Sequence, residues 1–99
     1  MIYLIAVQSR SLDFDYSPLY DKIKSIGDYI QAMDCLWFVY TKELINVSKV
    51  VKDLKNYIGK SDLLFMSELP YDAKKDGRLF KIAWDFIREK EKLIENEDR

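Results

Sequence analysis

The chain has 99 residues and a mass of 11.8 kDa, is 48% hydrophobic and 33% charged, and carries a net charge of −1 from 16 basic and 17 acidic side chains. That is one domain's worth of sequence with enough apolar side chains for a core, which excludes a mainly disordered chain. The balanced charge excludes a general electrostatic pull toward nucleic acid or anionic lipid.

Residues 2–7 (IYLIAV) form an unbroken β-favouring apolar run, the pattern of a strand buried on both faces. Residues 8–15 are polar and read as a loop. Ser17-Pro18 then marks a helix start, with Ser17 as N-cap and Pro18 in the first turn. Leu19, Ile23 and Ile26 share one face, and Gly27 suits the residue that ends the helix. Residues 29–33 and 35–41 read as two strands joined at Asp34 by a tight turn. Val47, Val50, Val51, Leu54 and Ile58 give the stripe of an amphipathic helix, stopped at Gly59. Residues 62–69 read as a further strand, ended by Pro70. A polar connector, residues 71–77, leads to a helix over residues 79–96. Its apolar stripe is Phe80, Ala83, Trp84, Ile87 and Ile94, with Arg88, Glu89, Lys92 and Glu95 on the solvated side.

The order β-α-β-β-α-β predicts an α+β, ferredoxin-like fold with an antiparallel four-stranded sheet, plus a C-terminal helix. Residues 1–70 are expected to form this core, and residues 71–99 the connector and helix. In that topology the first and third strands are central, in keeping with their being the most apolar. Leu64, Phe65 and Met66 then make an apolar edge, which needs a cover or a partner. Two helices cover only one face of such a sheet. The C-terminal helix is therefore expected to cover the other face, in its own subunit or a partner's, through Phe80, Trp84 and Ile87.

The composition limits the chemistry. There is no histidine, and Cys35 is the only cysteine, so Ser-His and Cys-His nucleophiles, intramolecular disulfides and thiolate zinc clusters are excluded. Gly27, Gly59 and Gly77 lie too far apart for a phosphate-cradling loop. Carboxylates, Lys and Tyr remain. Gln8, Ser9 and Arg10 leave the end of the first strand, a common place for ligands, and Arg10 suits a phosphate or a carboxylate. Asp34 is a further candidate at the strand junction. Cys35, Trp37 and Trp84 read as core residues, and the lysines of the middle third as a solvated helix face. No run is long enough to span a membrane, and no signal segment is recognisable, so a cytoplasmic protein is expected.

Several segments resemble the SinR-like family and, behind it, the small nuclease-like subunit of the CRISPR adaptation complex and virulence-associated protein D. They are Ile2-Tyr3-Leu4-Ile5-Ala6-Val7, Asp15-Tyr16-Ser17-Pro18-Leu19-Tyr20, Ile23-Lys24-Ser25-Ile26-Gly27, Trp37, Thr41 and Asp62-Leu63-Leu64-Phe65-Met66. The resemblance covers residues 1–69. It implies a two-fold dimer in which an aspartate ending the first strand, together with its mate, holds a divalent metal for phosphodiester cleavage. Gln8 stands at that position, and a neutral amide is not an equivalent ligand for a hard cation.

The expectation is therefore a non-catalytic homodimer, without cofactor or metal, that binds a protein or nucleic-acid partner. By analogy with the family, that partner would belong to a bacterial or phage nucleic-acid defence system. The alternative is a divalent-metal-dependent endonuclease of the CRISPR-adaptation type with a degenerate site, using Asp13, Asp15 or Asp34.

Overall fold

The computed structural model describes residues 1–97; the last two residues of the expected segment 71–99 lie outside the described residues. The apolar run at the start forms β1 (Ile2–Gln8), followed by α1 (Ser17–Lys24). β2 (Asp28–Met33) and β3 (Leu36–Tyr40) follow as a hairpin. Next come α2 (Val47–Leu54), a single 3₁₀ turn (Lys55–Tyr57), β4 (Leu63–Leu69) and α3 (Lys81–Glu97). The fold is α+β, with a four-stranded antiparallel sheet in the order β2-β3-β1-β4 and three helices, one of them C-terminal. The two most apolar strands, β1 and β3, lie inside the sheet, where both of their backbone edges are paired.

Alternation along β1 divides the interior into two cores. Tyr3, Ile5 and Val7 face α1 and α2, and pack with Leu19, Ile23, Trp37, Val39, Leu54 and Met66. Ile2 faces the other way, and packs with Phe38, Tyr40, Ala83 and Ile87. α3 thus covers part of the second sheet face within its own chain. Lys90 lies on the covered side of α3. Its stem is buried and its ammonium stands 5.2 Å from the centroid of the Tyr40 ring and 3.0 Å from Asp28 Oδ2. A long amphipathic side chain can thus occupy an apolar stripe while its head reaches an exposed carboxylate.

Several local expectations need correction. Ser17 is the first helical residue, and Tyr16 holds the N-cap position without a side-chain bond. The preceding Asp15 does the capping, its Oδ1 accepting a 3.0 Å hydrogen bond from the Ser17 N–H. Gly27 does not end α1, which stops at Lys24 with Ser25 as its C-cap. It is needed because a Cβ there would run into the Tyr40 carbonyl oxygen across the β2–β3 pair. Cys35 is exposed in the β2–β3 turn and is not a core residue. Phe80 is 81% exposed, because α3 begins only at Lys81 and its buried positions are Ala83, Ile87 and Lys90. Trp84 is half-buried beside them. Among the described residues, no helix is long and apolar enough to cross a membrane.

Candidate functional site

The C-terminal end of β1 is where the sequence-derived candidates lie. Gln8 is exposed and pairs with Leu63 at the start of β4. On the other side, the Val7 N–H donates to the Cys35 carbonyl at 2.8 Å, drawing the Asp34–Cys35 turn against the end of β1. Between them is a cleft of about 440 Å³ lined by Ala6, Gln8, Cys35, Leu63, Leu64 and Phe65, among others. Ala6, Gln8, Leu63 and Phe65 all project from the face that α3 covers only in part. Leu63 is accordingly 53% exposed, Phe65 62% and Met33 47%. The uncovered end of the sheet is thus apolar, with one neutral amide and one thiol at its rim.

Ser9 and Arg10 are exposed and lead away from this cleft. Arg10 is tied through its backbone, whose N–H donates to Asp62 Oδ1 at 2.8 Å. The Tyr16 hydroxyl donates to the same oxygen at 2.8 Å, and the Gly59 N–H donates to Oδ2 at 2.6 Å. Burial alone would push the Asp62 carboxyl up, but the backbone donors of Arg10 and Gly59 and the Tyr16 hydroxyl outweigh it, holding the carboxyl below its ordinary 3.8. Burial, followed by donation to Asp62, raises the Tyr16 hydroxyl above its ordinary value. The Asp62 carboxylate therefore knots the loop after β1 to the loop before β4 and fixes the direction in which residues 8–10 leave the sheet. Sequence reading missed this role. The only local signal was an aspartate between a Gly-Lys-Ser turn and an apolar strand, a place where Asp commonly accepts backbone N–H groups.

The carboxylates considered for metal chemistry are not brought together. Asp15 caps α1, and the Ser17 backbone N–H and hydroxyl hold its carboxyl below the ordinary value. Asp13 is exposed in the loop after β1. Asp34 is exposed in the hairpin turn, where its carbonyl accepts from Gln31 Nε2 at 3.3 Å. Among the described residues, no three His, Cys, Asp or Glu side chains are arranged to hold a metal ion.

The residues expected at an interface separate into two groups. Phe65 and Phe80 are exposed, and Leu64 and Trp84 are half-buried. Met66 and Ile87 belong to the two cores, Met66 because it faces α2 and Ile87 because it lies on the covered face of α3. The end of β1 therefore presents an apolar surface and not a cluster of charged side chains. The chain matches no family model, no curated protein and no solved structure.

Proposed function

We propose that this protein is a non-catalytic binding module of ferredoxin-like topology that acts as a homodimer and docks a macromolecular partner. Counted from the β4 edge, the strand order is 4-1-3-2, which supports the ferredoxin-like reading. The observation that carries the functional reading is the apolar end of the sheet beyond the reach of α3, where Leu63 and Phe65 are more than half exposed beside Gln8. Leaving such side chains in water forgoes roughly 1.5–3 kcal/mol each when they could be buried. Large contiguous apolar patches on soluble proteins mark interaction sites. A role in a nucleic-acid defence system rests on the SinR-like resemblance of residues 1–69 alone.

Light scattering at micromolar concentration is expected to give twice the monomer mass. Labelled RNA and DNA are expected to stay intact when incubated with the protein and magnesium or manganese. A monomer at every concentration overturns the homodimer. Cleavage that disappears in a folded Asp34→Ala variant overturns the non-catalytic reading and favours the nuclease.

A further inference from the structure

We propose that β4 is the seam of the dimer, pairing antiparallel with β4 of a second copy about a two-fold axis at Met66, so that two four-stranded sheets join into one. This rests on the homodimer reading above and names the surface that forms it.

The two edges of the sheet differ in how they are protected. β2 has a register shift between Gln31 and Met33 that interrupts its outer face. It begins at Asp28, which is ion-paired to Lys90 of α3, and its Ala32 is buried in the core beneath α3. Bulges, charges and covering helices are the usual devices that keep an edge from pairing. β4 has no bulge, although α2 packs against one of its faces. Its register with β1 is unbroken from Leu69, opposite Ile2, to Leu63, opposite Gln8. Glu68 is its only charged residue. Its outer N–H and C=O groups therefore form a straight ladder beside the exposed Leu63 and Phe65 side chains.

Self-complementarity selects the register. Residues facing each other across an antiparallel pair must point to the same side, so the axis passes through a residue of β4. An axis at Met66, the central position, pairs all 7 residues of the strand. It sets Leu63 against Leu69 of the second copy, Leu64 against its Glu68, and Phe65 against its Ser67. The two Phe65 rings become diagonal neighbours, within reach for aromatic side chains. An axis at Phe65 would instead oppose Asp62 to Glu68, and one at Leu64 would pair only residues 63–65. The seam is about 23 Å long, shorter than a standard tight interface needs, so the dimer is reversible and concentration-dependent.

Sedimentation velocity across the micromolar range tests this in the full chain. The wild type is expected to shift from monomer to dimer. Phe65→Lys, at a position already exposed in the protomer, is expected to weaken association about tenfold or more. Phe80→Lys, at a position still more exposed but away from the edge, is expected to leave it unchanged. If Phe65→Lys dimerises as tightly as wild type, β4 is not the seam, although the homodimer stands. If the wild type is monomeric throughout, both fall.

Discussion

Replacing Ile87 by alanine measures how much of the fold depends on α3, and Phe80 supplies the control. Both lie on the apolar stripe apparent in the sequence, but Ile87 is 2% exposed and Phe80 81%. Ile87→Ala removes three carbons' worth of buried surface beside Ile2, Phe38, Tyr40 and Ala83, about 2.4 kcal/mol at 0.8 kcal/mol for each. The cavity left behind adds to this wherever the site cannot collapse, for a total of about 2.5–4 kcal/mol. A domain of this size has roughly 5–15 kcal/mol in all, so this is a large fraction of its stability. With about 4–8 °C of melting temperature per kcal/mol, the midpoint should fall by roughly 10–30 °C. Phe80→Ala removes a ring already in water and should stay within about 0.5 kcal/mol of wild type. Urea unfolding followed by tryptophan fluorescence gives both values, since Trp37 and Trp84 report from the two cores. If Phe80→Ala costs as much as Ile87→Ala, or Ile87→Ala costs nothing, the placement of α3 over β1, β2 and β3 is wrong.

The depressed carboxyl of Asp62 has a pH consequence. Its contribution to stability should be complete above the ordinary 3.8 and be lost as pH falls below it through the folded-state value. Asp62→Asn should flatten that part of an acid-unfolding curve. It should also loosen the loops carrying Arg10 and Gly59, visible as faster hydrogen exchange at those two amides; an unchanged acid limb and unchanged exchange would refute the knot. Gly27→Ala should destabilise by about 1–3 kcal/mol or more, because the added methyl must displace the Tyr40 carbonyl at the start of the β2–β3 pair. A Gly27→Ala variant that melts with wild type would show that the approach there is not close.

Much of the architecture was legible in the sequence because it is written in local periodicity. The unbroken run IYLIAV could be satisfied only inside a sheet, and the Val47, Val50, Val51 and Leu54 stripe only on a helix; the structure adds the Asn46 cap, which accepts from the Lys49 N–H at 3.0 Å. The centrality of β1 and β3 followed from their apolarity on both faces. Periodicity, however, describes one element's own amphipathic face and not what that face meets. It grouped Phe80 with Ile87 because nothing local states that α3 begins at Lys81, or that the connector sets the helix over only one end of the sheet. It placed Cys35 in the core because a turn residue between two apolar strands looks like a strand residue. The Asp62 knot joins residues 46 and 52 positions apart, and the bond between Lys90 and Asp28 spans 62. Separations of that size exist only once the strands have paired, so the tertiary structure alone decided which carboxylate is held, which lysine is buried, and which apolar side chains are left facing water at the end of the sheet.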